Sequence, residues 1–79
     1  GYAEALINRG ICRADLGDHE RALRDLAAGV KADPQNLVGR FQRGKLLVAL
    51  GRKGEARADL ERVAGAGGPL AAKAEELLR

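Results

Sequence analysis

The sequence predicts an all-α fold: antiparallel helix hairpins, five helices in a single domain spanning residues 1–79. Three observations lead there. The apolar inventory is 15 Ala and 12 Leu with few β-branched residues and two aromatics, Tyr2 and Phe41, which suits close helix packing better than a sheet. The chain also repeats itself after 34 residues: Arg9-Gly10 falls on Arg43-Gly44, Leu16-Gly17 on Leu50-Gly51, Ala22 on Ala56, Asp25-Leu26 on Asp59-Leu60 and Ala32 on Ala66. Within each unit, apolar residues recur at helical spacing on both sides of a glycine turn.

The first helix is expected over Ala3–Leu16, an unbroken run of helix formers with Leu6 and Gly10 on one stripe and Ile7, Ile11 and Ala14 on the next. Gly17 offers a left-handed stop, and Asp18 caps the following amides in a chain that has no Ser or Thr. The second helix, His19–Ala32, carries Ala22, Leu23, Leu26, Gly29 and Val30 at helical spacing. Asp33-Pro34 ends it, because a residue before proline avoids helical geometry and proline donates no hydrogen bond. The plan then repeats, with a helix over Leu37–Leu50, a turn at Gly51-Arg52 and a helix over Lys53–Ala64. The stretch Gly65-Ala66-Gly67-Gly68-Pro69 breaks the chain before a last helix over Leu70–Arg79.

Gly10 and Gly44 stand in mid-helix, where glycine costs about 1 kcal/mol relative to alanine. Each precedes an alanine by the same interval, Ala22 and Ala56. A hairpin crossing at those small pairs lets two backbones approach while the larger side chains around them interlock. Replacing Gly10 or Ala22 by Leu should therefore overpack the crossing. The same hairpin turns Arg9 toward Asp25 and Arg43 toward Asp59, so one ion pair is expected in each unit.

Composition excludes several functions. With 46% apolar and 32% charged residues the chain is not disordered. Without Ser or Thr the only hydroxyl is that of Tyr2, and His19-Glu20 reads as a surface-turn pair, so catalysis is disfavoured. One His and one Cys make no zinc set, and no metal or cofactor is expected. The glycines at 65, 67 and 68 are followed by no Lys-Ser/Thr, which removes a phosphate loop. Cys12 has no partner for a disulfide; a buried structural thiol and a cytoplasmic location are expected. No apolar run is long enough for a bilayer. The start at Gly1-Tyr2, without Met, points to a fragment of a longer protein. Arg over Lys and a bias to Ala, Gly and Leu suggest a GC-rich, bacterial source.

The formal charge is +3, unevenly placed. Residues 37–54 carry Arg40, Arg43, Lys45, Arg52 and Lys53 with no acid, and the remainder nets −2. This segment is either a patch for an acidic partner or a solvated or internally paired face.

The 34-residue helix–turn–helix unit resembles the tetratricopeptide repeat, on Gly10, Leu16-Gly17-Asp18, Ala22, Leu26 and Asp33-Pro34-Gln35-Asn36, and again on Gly44, Leu50-Gly51, Ala56 and Leu60. The resemblance implies repeat one over 3–36, repeat two over 37–68 and a capping helix over 70–79, wound as a right-handed α-α superhelix. The large aromatic usual early in the first helix is Leu6 and Arg40 here, and the apolar residue before the glycine is Arg9 and Arg43.

In proteins similar to this one the first helix of each pair lines a concave groove that holds a peptide or a partner helix. The resemblance thus implies groove positions Glu4, Ile7, Asn8, Ile11, Ala14 and Asp15, and Val38, Phe41, Gln42, Lys45, Val48 and Ala49. Among them Ile7, Ile11, Phe41 and Val48 form an apolar strip, Asn8, Gln42 and Lys45 reach backbone or carboxylate groups, and Phe41 is the best single anchor. One apolar stripe does not separate groove from core, so a second reading packs Ile7, Ile11 and Phe41 inside, against a neighbouring repeat that the fragment has lost. A subtype that grips acidic chaperone tails through Lys and Asn has Ile7 and Ile11 at those places here, so that specificity is unsupported.

The expected function is a non-catalytic protein-interaction module, an adaptor or scaffold surface for a protein or peptide partner. The alternatives are nucleic-acid binding through the basic third helix and its turn, and a regulatory segment of a larger enzyme. Nucleic acid is disfavoured by the small net charge and the lack of an aromatic face. Two repeats with a cap are few for an array, so either the parent protein continues the array or copies self-associate through their open ends.

Overall fold

The computed structural model describes residues 1–79 as five helices and no strand: α1 (Tyr2–Asp15), α2 (His19–Ala32), α3 (Leu37–Ala49), α4 (Lys53–Ala66) and α5 (Ala71–Leu78). The repeat holds down to single hydrogen bonds. At the end of α1, Gly17 takes φ 84°, its N–H donates to the Ala14 carbonyl at 3.0 Å, and the Asp18 N–H donates to the Arg13 carbonyl at 2.8 Å. Thirty-four residues later Gly51 takes φ 77°, donating to Val48 at 3.0 Å while Arg52 donates to Leu47 at 2.8 Å. These two crossed bonds satisfy helix-end carbonyls that would otherwise lack donors, and they need a residue free to adopt positive φ.

The helix starts differ. The Asp18 carboxylate accepts the Arg21 N–H at 3.4 Å, and the Asn36 side-chain oxygen accepts the Gly39 N–H at 3.1 Å. Arg52 has no acceptor to offer, and its guanidinium instead forms a two-point pair with Glu55 at 2.6 and 2.7 Å. The expected break at Gly65 does not occur: α4 runs on to Ala66, the repeat equivalent of Ala32 at the end of α2. A single glycine costs a helix only about 1 kcal/mol. The chain turns instead at Gly67 and Gly68, where φ is 71° and 83°.

Both hairpins cross at the predicted small residues. Ala22 and Ala56 are fully buried. A Cβ on Gly10 would lie 2.8 Å from Leu26 Cγ and 3.2 Å from the Ala22 carbonyl oxygen, and one on Gly44 would lie 2.8 Å from Leu60 Cγ. The leucine of each second helix therefore occupies the space a side chain would take. Hairpin α1/α2 packs on hairpin α3/α4 through α2 and α3, and α5 covers α4.

The core has two parts. Ile7, Ala22, Leu26 and Leu46 form one, bordered by half-buried Ile11, Ala14, Leu23 and Leu50. Phe41, Leu47, Ala56, Leu60, Val63 and Ala74 form the other, joined from α5 by Leu77 and Leu78. Cys12, expected inside, is exposed. It sits one turn after Asn8, which is exposed as well. No helix is long and apolar enough to cross a membrane.

The expected ion pairs are present, and each has gained a second arginine. Arg9 Nε and Nη2 donate to the two oxygens of Asp25 at 2.9 and 2.8 Å, and Arg13 Nη1 adds a third bond at 2.8 Å. Arg43 Nε and Nη2 donate to Asp59 at 2.6 and 2.8 Å, with Arg40 Nη1 at 3.3 Å. The Arg9 hydrogen bonds, followed by the charge of Arg13, hold the Asp25 carboxyl below its ordinary pKa. The bond to Asp59 raises the already high pKa of Arg43.

Candidate functional site

The face shared by α1 and α3 is the place to look for a ligand, because these helices lie side by side without closing the space between them. The 34-residue repeat pairs its positions as Glu4 with Val38, Asn8 with Gln42, Ile11 with Lys45 and Asp15 with Ala49. Two open hollows lie along it. One, of about 200 Å³, has a floor of Ile11, Ala14, Leu26, Leu46 and Ala49, with Asp15, His19, Gln42 and Lys45 around it. The other, of about 210 Å³, is bounded by Glu4, Ile7, Asn8, Asn36 and Val38.

Of the residues expected to bind a partner, Ile11, Gln42 and Lys45 line the first hollow and Asn8 borders the second. Two others require correction. Ile7 is 2% exposed, wedged between two glycines: a Cβ on Gly29 of α2 would lie 2.7 Å from Ile7 Cγ1, and one on Gly39 of α3 would lie 2.7 Å from Ile7 Cδ1. It is a spacer between the repeats, and little of it reaches the second hollow. Phe41, the expected anchor, is 5% exposed in the cluster with Leu60, Val63 and Ala74. Its ring fills the gap between α3, α4 and α5, so it is core and offers a partner nothing. Val48 packs half-buried against the same cluster, away from both hollows.

The sequence reading passed over His19, Leu46 and Asn36. In the sequence His19 reads as a surface-turn residue. The glycine turn is so tight that the first residue of α2 returns to the end of α1, and the imidazole joins the rim four residues after Asp15. That short separation was the available signal.

The electrostatics of the basic segment come out largely paired. Arg40 and Arg43 hold Asp59, and Arg40 Nε also donates to the Pro34 carbonyl at 2.8 Å. Arg52 holds Glu55, and Lys53 Nζ contacts the Arg79 carbonyl. Lys45 is exposed and has no ion pair or hydrogen bond within the chain.

Stacked antiparallel hairpins with an open face along their first helices define the class: an α-helical repeat module that presents a binding surface. Family models described as Tetratricopeptide repeat match residues 3–36 and 39–66, and the chain belongs to the tetratricopeptide repeat family. Such repeats typically serve as non-catalytic protein-interaction modules. Among curated relatives, the "FK506-binding protein-like" of Mus musculus is 39% identical across 71% of this chain and 16% of its own length. The same-named protein of Rattus norvegicus is 35% identical across 61% and 14%. "Protein FlbA" of Caulobacter vibrioides is 40% identical across 68% and 10%. The chain thus spans no more than about a sixth of the relatives it matches. No solved structure matches it.

Proposed function

We propose that the chain binds an extended peptide or a partner helix along the shared face of α1 and α3 and carries out no reaction on it. The observation that carries this reading is Lys45. Of the five cations in residues 37–54, it alone has no partner within the chain, and it stands beside an open apolar hollow. An unpaired charge at the edge of exposed apolar surface gives a ligand both burial and orientation. The alternative of nucleic-acid binding loses its support, because the guanidinium groups that would meet phosphates already hold Asp59 and Glu55.

Peptides selected from a random display library on this chain, then titrated by fluorescence anisotropy, test the reading. Ala49→Arg, at an exposed position in the first hollow, should weaken binding at least tenfold. Ala58→Arg, equally exposed on α4 and remote from both hollows, should leave it unchanged. Equal affinities for both variants would overturn the assignment of the face.

A further inference from the structure

The first hollow carries charges that the repeat does not require. Lys45 has Ile11 as its repeat equivalent and Asp15 has Ala49, so the fold accepts an apolar residue at each place. Both charged residues are exposed, and neither forms an ion pair. Asp15 is also the last residue of α1, where the negative end of the helix dipole disfavours an acid, so its presence does nothing for the helix. The same hollow, of about 200 Å³, is lined by apolar residues that include Ile11, Ala14, Leu46 and Ala49. An apolar cavity of about 150 Å³ is enough for benzene, so the hollow has room for one side chain of that size.

We propose that this hollow seats a single apolar side chain of an extended peptide that carries an acidic residue toward Lys45 and a basic residue toward Asp15. The inference rests on the proposed binding face and adds the chemistry of its ligand. The two charges line the same hollow from different helices, Asp15 from α1 and Lys45 from α3, so a peptide crossing from one helix to the other meets both. Apolar contact supplies the attraction, and the two charges set direction and choice of sequence. A peptide laid in the opposite direction brings like charges together, which is unfavourable. Gln42 remains available to hydrogen-bond the peptide backbone between them.

The test is display selection of random twelve-residue peptides on three versions of the chain: wild type, Lys45→Glu and Asp15→Lys. Both substitutions are at exposed positions, and thermal melts followed by circular dichroism establish that each variant is folded. The wild-type pool should be enriched in an apolar residue flanked by an acid on one side and a base on the other. Lys45→Glu should remove the acidic preference at least tenfold and replace it with a basic one. Asp15→Lys should do the converse at the other flank, with the apolar residue retained in every pool. Identical charge preferences in all three pools, or no apolar anchor, would overturn the inference. Ala49→Arg separates the two levels. If it abolishes binding while charge preferences ignore the substitutions, the face stands and its bipolar ligand is wrong. If it leaves the selected peptides bound, the face itself is wrong, and this inference falls with it.

Discussion

Repeat one and repeat two bury an aspartate at the same point and recruit the second arginine from opposite directions. Asp25 takes Arg13, one turn after Arg9, whereas Asp59 takes Arg40, one turn before Arg43. The equivalents of those extra arginines are Leu47, which is core, and Leu6, half-buried on the outer side of α1. The repeat thus specifies the aspartate and one guanidinium, and the rest of the packing decides where the other comes from. Depth differs as well. Arg9 is 57% and Arg13 30% exposed, whereas Arg40 and Arg43 are 17% and 27% exposed, because repeat two is flanked on both sides, by α2 and by α5.

The largest consequence should separate the two aspartates. Asp59→Ala leaves two mostly buried guanidiniums without an anion and should cost about 3 kcal/mol. Asp25→Ala should cost clearly less, since water already reaches Arg9. Urea unfolding of both variants measures this, and equal losses would erase the distinction in depth.

A second contrast lies in the spacers. Ile7 lies against Gly29, whereas its equivalent Phe41 shares a cluster with Val63 in the glycine's place. Gly29→Ala puts a methyl 2.7 Å from Ile7 Cγ1 and 3.3 Å from the Ala3 carbonyl oxygen, and should cost about 1–3 kcal/mol. Combined with Ile7→Ala, which removes the obstructing atom, the loss should be smaller than the sum of the two single losses. Strict additivity in equilibrium unfolding would mean that the two residues do not compete for space.

The acid limb offers a subtler comparison. Asp25 has a lowered pKa in the folded chain, with the Arg9 hydrogen bonds as the leading cause. Its stabilisation is complete above the unfolded value near pH 4 and is lost as pH falls from there through the lower folded value, a window in which the unfolded chain binds the proton and the folded one does not. Unfolding between pH 2 and pH 6 should therefore show a steeper loss for wild type than for Asp25→Asn. The same slope in both would contradict the role given to Asp25. Smallest of all, Arg52→Ala should leave the melting temperature within error of wild type, because the Arg52–Glu55 pair is solvent-exposed and neighbours on one helix turn.

Much of the fold is legible in the residues. The glycine turns, the Asp18 cap, the hairpin crossings at Gly10/Ala22 and Gly44/Ala56 and the Arg9–Asp25 and Arg43–Asp59 pairs all follow from local pattern and the 34-residue repeat. The candidate site is legible only in part. The heptad-like stripe of α1 identifies Ile7, Asn8 and Ile11 as neighbours of one face, yet says nothing of how near the next repeat comes. Gly29 and Gly39 bring α2 and α3 onto Ile7, and α5 closes over the cluster that holds Phe41.

The sequence by itself determined where helices start, stop and fold back, the end of α4 apart, since those outcomes depend on backbone groups within about five residues of one another and on small residues repeated in register. Tertiary structure alone decided which apolar residues stayed open to a ligand and which cations stayed unpaired. Exposure and charge pairing depend on every segment that comes near, and the segments that buried Phe41 and neutralised Arg40 lie 15 to 33 residues away along the chain.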